Sequence, residues 1–163
     1  MEETQVGVTV AQAAYIAGLI DGEGYFQIAK KQKHHPSIWY SPLLAVTNTN
    51  AEVLHWLRGI TGVGFVVYVN RPSKPNWKPL LRWEVHSRQL RRFLPAVMPF
   101  LRIKRTHAEL VYDLLLRQKG GAGRRLTSSE NQEREQLRNR LKQLNVRGTG
   151  LQLSPRTREI SNE

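Results

Sequence analysis

Two carboxylates separated by single glycines, in the run Asp21-Gly22-Glu23-Gly24, directly follow a stretch with helical periodicity. The C-terminus of a helix carries a partial negative charge, so an acid there is unfavourable unless a cation lies nearby. The glycines allow the backbone to approach a ligand closely and expose the Gly22 carbonyl. Carboxylate and carbonyl oxygens are the ligands that Mg²⁺ takes in proteins. Most acidic glycine turns are only turns, but this one has the composition of a magnesium site.

A helix from Thr9 to Asp21 must position these acids, and Thr9 with Gln12 has the spacing of a capping box. Small residues recur four apart on two adjoining stripes of this helix, and small side chains let two backbones approach closely. A glycine inside a helix costs about 1 kcal/mol relative to alanine, so Gly18 indicates close packing, either on the protein's own sheet or on a second helix. The stripes are Ala13 with Ala17, and Ala14 with Gly18.

Patterns further along the chain predict four strands and four more helices. Two successive β-hairpins imply an antiparallel sheet with helices on one face, which leaves the other face free for a partner. Pro42 predicts that its strand is an edge or is kinked there. The predicted strands are Tyr25–Lys33, Ile38–Asn48, Phe65–Asn70 and Leu80–His86, and the helices are Asn50–Ile60, Ser87–Val97, Lys104–Lys119 and Ser128–Leu144.

The domain organisation follows from the composition of the segments. We expect a core over residues 1–119, a glycine-rich linker over 120–127, a C-terminal helix over 128–145 and a flexible basic tail over 146–163.

Composition restricts the class of protein. Lys and Arg total 25 against 13 Asp and Glu, a formal charge of +12, which favours a polyanionic partner such as nucleic acid over a merely basic soluble protein. A hydrophobic content of 40% excludes disorder throughout. The absence of cysteine excludes disulfides, thiol nucleophiles and cysteine-ligated zinc. Without an apolar span or a basic N-terminal signal, we expect a soluble intracellular protein with no membrane partner.

Polar side chains alternate with apolar ones along the first and fourth strands. Gln27, Lys31 and Lys33 share one face of the first strand, and Arg82, Glu84 and His86 share one face of the fourth. Donors and acceptors at two-residue spacing suit base-edge and phosphate contacts in a major groove. An ordinary solvated sheet face is also polar, so this pattern leaves both interpretations open.

The segment Ala17-Gly18-Leu19-Ile20-Asp21-Gly22-Glu23-Gly24, within Tyr15–Phe26, resembles the motif of the LAGLIDADG homing endonucleases. Ile16 stands where the motif has Leu, and Glu23 takes the place of the final acid. Two further segments look like family features, Gly62-Val63-Gly64 and Pro99–Lys104. The resemblance covers roughly residues 9–119 and implies an α+β fold with an αββαββα core. It also implies an antiparallel four-stranded DNA-binding sheet with helices on one face, followed by C-terminal helices.

The sequence holds one copy of the motif, so the resemblance implies a homodimer in which the two motif helices pack together. The implied activity is a metal-dependent double-strand break in a long pseudopalindromic DNA target, with short 3′ overhangs, which promotes mobility of a host intron. The implied dimer interface comprises Ala13, Ala14, Ala17, Gly18 and Asp21.

The resemblance also assigns roles at the site. Glu23 and the Gly22 carbonyl would bind Mg²⁺, with Mn²⁺ or Ca²⁺ as substitutes for binding. Lys104 would lie near the attacking water, and Asn48 stands where a glutamine is often found. Glu52 stands near the position of a frequent arginine, which is a departure from the family pattern. The implied DNA contacts are Gln27, Lys31, Lys33, Ser41, Arg71, Arg82 and Glu84.

Two other functions fit the same residues. An RNA maturase that assists intron splicing would use the same fold and would bind RNA. A transcription regulator on a degenerate relative of the fold is a third hypothesis, but a pure DNA binder would have no use for an acid at Glu23 facing a polyanion.

Overall fold

A four-stranded antiparallel sheet and five α-helices make up the part of the chain that the computed structural model describes, residues 7–32, 38–71, 76–118 and 125–146. A short 3₁₀ helix spans Met98–Phe100. The predicted linker and basic tail fall largely outside the described residues. In chain order the elements are α1 (Val10–Glu23), β1 (Gly24–Gln32), β2 (Ile38–Asn48), α2 (Ala51–Thr61), β3 (Phe65–Val69), β4 (Leu80–His86), α3 (Ser87–Val97), α4 (Arg105–Arg117) and α5 (Ser128–Asn145).

The strands lie in the order β1-β2-β4-β3, and each neighbouring pair is antiparallel. The predicted α+β class, with helices on one face of the sheet, is confirmed. Of the two alternatives for Pro42, an edge strand or a kink in the strand, the edge strand is wrong, because β2 lies between β1 and β4. Pairing of β2 with β4 begins only at Leu43, so Pro42 lies where β2 has β1 as its one paired neighbour.

The core fills the space between the sheet and the helices. Phe26 and Ile28 of β1 point into it, as their alternation predicts. Trp83 of β4 is fully buried, its ring meets Phe93 edge-on at 5.6 Å, and its Nε1 donates to the Val63 carbonyl at 3.0 Å. A buried indole needs such a partner, so this hydrogen bond fixes the turn between α2 and β3 against the core.

The glycines of that turn have different tasks. Gly62 ends α2 in the left-handed conformation at φ 63°. Gly64 is also left-handed, and a Cβ there would lie 2.6 Å from Trp83 Nε1 and 2.5 Å from the Glu84 carbonyl oxygen. Only glycine fits both the backbone conformation and the space at this position.

Helix α5 packs directly on α4 and β1. Its Leu137 and Leu141 are buried, and the Nδ2 of Asn145 donates to the Phe26 carbonyl at 2.9 Å. The helix therefore contributes side chains to the same hydrophobic core as the sheet. None of the described helices is long and apolar enough to cross a membrane.

Candidate metal and nucleic-acid site

Helix α1 continues past Asp21, where the sequence predicted its end, and finishes at Glu23. The N–H of Gly24 bonds to the Ile20 carbonyl, and β1 starts at Gly24 itself. A Cβ on Gly24 would lie 2.6 Å from the Ile20 oxygen, so glycine is required for this direct passage from helix to strand. Glu23 is thus the exposed last residue of the helix, next to the start of a paired strand.

The Asp21 carboxylate is occupied within the protomer. Its Oδ2 accepts the N–H of Arg102 and its Oδ1 accepts the N–H of Lys104, both at 2.8 Å. Burial acts to raise the pKa of Asp21, but these backbone donors outweigh it, and the pKa is lowered overall. Asp21 therefore joins the end of α1 to the segment before α4.

Lys104 joins the same two segments in the other direction, from its side chain to the α1 backbone. Its Nζ donates to the carbonyl oxygens of Ile20 at 3.1 Å and Asp21 at 2.5 Å. Burial lowers the pKa of Lys104, while the nearby charges of Asp21 and Glu23 act to raise it, and the net shift is downward. The structure thereby supplies a cation at the negative end of α1, beside the motif acids.

The Glu23 carboxylate is exposed and makes no hydrogen bond or ion pair with another described residue. The neighbouring Gly22 is exposed as well, and a Cβ there would meet nothing within 4 Å. A carboxylate that is not engaged by another described residue, beside an exposed residue with a backbone carbonyl, fits the donor set of a hard divalent cation. Among the described residues of one chain, no group of three or more His, Cys, Asp or Glu side chains lies together.

Asn48 lies at the same end of the sheet as Glu23. Gly24 pairs with Val46, and Asn48 is two residues further along β2. Its Oδ1 accepts the N–H of Asn50 at 2.8 Å, while Asn50 caps α2 by accepting the N–H of Val53 at 3.3 Å. In this protomer the amide oxygen of Asn48 therefore forms the turn into α2.

The two small-residue stripes of α1 differ in exposure, and the predicted interface is corrected accordingly. Ala13 and Ala17 are completely buried within the protomer, so they have no surface to offer a partner. Ala14 and Gly18 are exposed, and a Cβ on Gly18 would meet nothing within 4 Å. Beside them, Tyr15 is 57% exposed with its ring edge-on to Trp56. The sequence could not distinguish these stripes because both consist of small apolar residues.

The sheet face turned away from the helices carries the predicted polar residues of β1 and β2. Gln27 and Lys31 are exposed on it, and the pairing of Ala29 with Ser41 places Ser41 on the same face. Lys30 points to the opposite side and pairs with Glu135 of α5 at 2.9 Å. The predicted contact Lys33 lies outside the described residues.

On β4 the expectation for Glu84 is corrected. Arg82, Glu84 and His86 share the free face, but Glu84 is only 8% exposed. Its carboxylate binds the Arg82 guanidinium and, at 2.9 Å, the Nε2 of His86. Glu84 therefore has little surface for direct contact, whereas His86 lies on this face beside it, as the alternation along the strand predicts.

Arg71 lies just beyond the end of β3. Its Nη2 donates to the Lys78 carbonyl at 2.8 Å, and its guanidinium lies 5.3 Å from the centre of the Trp77 ring. The 57% exposed Trp77 and the arginine thus lie against each other beside the edge strand β3.

No protein-family model and no curated protein matches this sequence, whereas solved structures do. The chain superposes on the homing endonuclease I-CvuI in complex with its target in the presence of calcium, with a TM-score of 0.70, 20% identity, and coverage of 86% of this chain and 85% of that chain. The archaeal intron-encoded homing endonuclease I-Vdi141I complexed with DNA superposes with a TM-score of 0.69 at 20% identity. The match covers 85% of this chain and 86% of that chain. The LAGLIDADG homing endonuclease I-SmaMI bound to cleaved DNA superposes with a TM-score of 0.63 at 19% identity. That match covers 77% of this chain but 42% of the I-SmaMI chain. The chain has the fold of these homing endonucleases.

Proposed function

We propose that this protein is a LAGLIDADG homing endonuclease that acts as a homodimer and cuts both strands of a long pseudopalindromic DNA duplex. The observation that carries the proposal is the exposed Glu23 carboxylate, which makes no hydrogen bond or ion pair with another described residue and lies at the end of a helix that exposes the small residues Ala14 and Gly18. A sheet face with exposed polar side chains on the same protomer and a net charge of +12 support a DNA partner.

Two features support the dimer. The exposed residues Ala14 and Gly18 would allow a second copy of α1 to approach closely about a two-fold axis. The chain also spans most of I-CvuI but less than half of I-SmaMI, as expected if it supplies one of two equivalent halves. A two-fold dimer would read two inverted half-sites, hence the pseudopalindromic target.

In such a dimer the two Glu23 carboxylates converge at the ends of the paired helices. Like charges at close range repel, so cations stabilise the arrangement. Glu23 and the Gly22 carbonyl would hold the divalent ion, for which Mg²⁺ is the proposed species. When bound, a divalent ion of this kind activates water and stabilises charge on the scissile phosphate.

The remaining residues position the DNA and balance charge. Lys104 holds the α1 carbonyls and places its ammonium beside Glu23, where it would also face the phosphate. Gln27, Lys31 and Arg82 would contact base edges and phosphates from the sheet. Cleavage at two sites that face each other across the minor groove would leave short 3′ overhangs, and the break would promote mobility of a host intron.

The proposal is tested by incubating the protein with a library of duplex DNA in which both half-sites are randomised, and then capturing cut ends. We expect cutting with 3′ overhangs in Mg²⁺, binding without rapid cutting in Ca²⁺, and no cutting in a chelator. Cleavage that persists without divalent ions would contradict the metal role of Glu23. Tight binding of intron RNA with no cleavage of any duplex would instead favour the maturase hypothesis.

A further inference from the structure

Three alternate residues of β4 form a cluster in the middle of the proposed DNA-binding face. Glu84 is the central one, and each of its carboxylate oxygens holds one neighbour, Oε1 the Arg82 guanidinium and Oε2 the His86 ring. The side chain of Glu84 is only 10% exposed, whereas those of Arg82 and His86 are 33% and 37% exposed. The acid is therefore covered, and its two partners reach the surface.

Apolar neighbours explain why the acid is covered. Glu84 pairs with Ala45 on β2 and with Phe65 on β3. The Phe65 ring also stacks on His86 with centroids 5.5 Å apart and the planes 5° from parallel. Contacts of a carboxylate strengthen when water is excluded, so Arg82 and His86 are held more firmly than by an exposed ion pair.

The two partners keep hydrogen-bonding capacity for a ligand. A guanidinium has five N–H donors and Glu84 binds it through Nη2, so donors remain on Arg82. Its Nε is buried with no partner among the described residues. In the neutral tautomer that carries its hydrogen on Nε2, His86 donates a hydrogen bond from Nε2 to the Glu84 carboxylate, and Nδ1 is then an acceptor. The face therefore presents a donor group and an acceptor atom on either side of one buried acid.

We propose that Glu84 is a positioning residue for sequence recognition, which holds Arg82 and His86 as a fixed pair of readers for neighbouring base pairs and contacts no base itself. This inference rests on the proposed function of the sheet as a DNA-binding surface. The ordinary complement of an arginine is guanine O6 and N7, and an imidazole acceptor suits the exocyclic amino group of adenine or cytosine. A side chain that is held in one geometry before binding loses less conformational entropy when the complex forms, and this favours discrimination between bases.

The buried carboxylate also affects binding affinity: it favours sequence recognition but weakens the general attraction to DNA. A negative charge on a DNA-facing sheet repels phosphates and neutralises one arginine, so it weakens sequence-independent attraction. Removal of the charge should therefore leave non-specific binding unchanged or tighter while it relaxes specificity. A residue with a purely structural role would weaken both kinds of binding together.

The test uses E84Q in the full-length protein, since an amide keeps the shape of the side chain but can accept only one of the two hydrogen bonds. Base preferences are measured by selection of bound duplexes from a randomised library in Ca²⁺, together with affinity for a non-specific duplex. We expect discrimination to fall on the order of tenfold at the base pairs that R82A and H86A also relax. The comparison variant Q27A, on β1 of the same face, should relax a different base pair.

Thermal unfolding checks that each variant is folded. If E84Q does not fold, E84D replaces it, because aspartate is one methylene shorter and its carboxylate lies further from Arg82 and His86. Relaxation of a base pair that neither R82A nor H86A affects would mean that Glu84 reads DNA directly and would overturn the inference. Unchanged preferences in a folded E84Q would overturn it as well. Failure of the wild-type protein to bind any duplex would instead overturn the proposed function.

Discussion

Asp21 and Lys104 explain how the end of α1 tolerates two acids. The carboxylate of Asp21 accepts the backbone N–H groups of residues 102 and 104, and the Lys104 ammonium donates back to two α1 carbonyls. The negative end of the helix is thereby neutralised within the protomer. Of the two motif acids, this leaves Glu23 as the one whose carboxylate is not engaged by another residue in the part of the chain that the structure describes.

Replacing Lys104 with Met should lower both stability and cleavage rate. The α1 carbonyls lose a charged donor, which costs about 1–3 kcal/mol, and Glu23 loses a neighbouring positive charge. Urea unfolding and single-turnover cleavage measure the two effects. Arg105→Ala is the matched control, because Arg105 makes only an exposed pair with Glu109 and should change stability by less than about 1 kcal/mol. Wild-type stability of the Lys104→Met variant would contradict this role.

At the residue scale the sequence predicted the motif acids and Lys104, because they lie in contiguous runs with a recognisable order. It did not predict the burial of Glu84, whose covering residues Ala45 and Phe65 come from two other strands. Alternation along a strand tells which face a side chain occupies, but the exposure of that side chain depends on its cross-strand neighbours.

Among the elements, α5 is held to the sheet by a polar network around Glu135. Tyr40 OH donates to its Oε2 at 2.7 Å, Lys30 pairs with it at 2.9 Å, and Arg138 contacts Oε1 at 2.7 Å. These contacts, that of Lys30 first, lower the pKa of Glu135 to about 2. Burial and the Glu135 carboxylate together raise the pKa of Tyr40 to about 12.

The network predicts a pH-dependent stability difference between wild type and Glu135→Gln. A carboxyl whose pKa is depressed by folding stabilises the native state above its ordinary pKa near 4.3, and that contribution is lost as the pH falls toward 2. We expect the wild type to be more stable by about 2 kcal/mol at pH 7, allowing for solvent screening, and the difference to vanish only below about pH 2. Urea unfolding across this range measures it, and a difference that does not change with pH would contradict the assignment.

Helix boundaries were largely predictable because local signals set them. Thr9 with Gln12 forms the expected capping box, and Thr127 with Glu130 forms another one residue before the predicted start of α5. The docking of α5 was not predictable, since Tyr40 and Glu135 are 95 positions apart in the chain. Contacts of that range depend on the complete topology rather than on any local pattern.

Helix α1 offers a test of the dimer interface that separates folding from association. Gly18→Ala should stabilise the protomer by about 1 kcal/mol, because alanine favours a helix and its Cβ would meet no described atom. In a tightly packed helix pair the two added methyl groups should weaken the dimer at least about tenfold, as measured by sedimentation equilibrium. Gly59→Ala, at an equally open helical position on α2, is the control and should leave association unchanged. Equal dimer affinity for both variants would exclude this face of α1 as the interface.

At the scale of the whole molecule, one side of the described chain holds the helices and the other presents the open sheet. The motif helix ends where the sheet begins, so a two-fold axis along α1 would place two sheets side by side and two Glu23 carboxylates between them. With a charge of +12 per chain, such a dimer would attract a duplex along its length. Each protomer would then read one half-site and cut one strand.

A mixed dimer tests whether each subunit of the proposed dimer cuts one strand with its own Glu23. Wild-type and Glu23→Gln chains carrying different affinity tags are co-expressed, and the species that retains both tags is incubated with a supercoiled plasmid containing the selected target in Mg²⁺. If each subunit cuts one strand, the mixed dimer gives nicked circles, the wild-type dimer gives linear plasmid, and the Glu23→Gln dimer gives bound but uncut plasmid. Linear plasmid from the mixed dimer at the wild-type rate, or double-strand cleavage by a species that sediments as a single chain, would contradict this account.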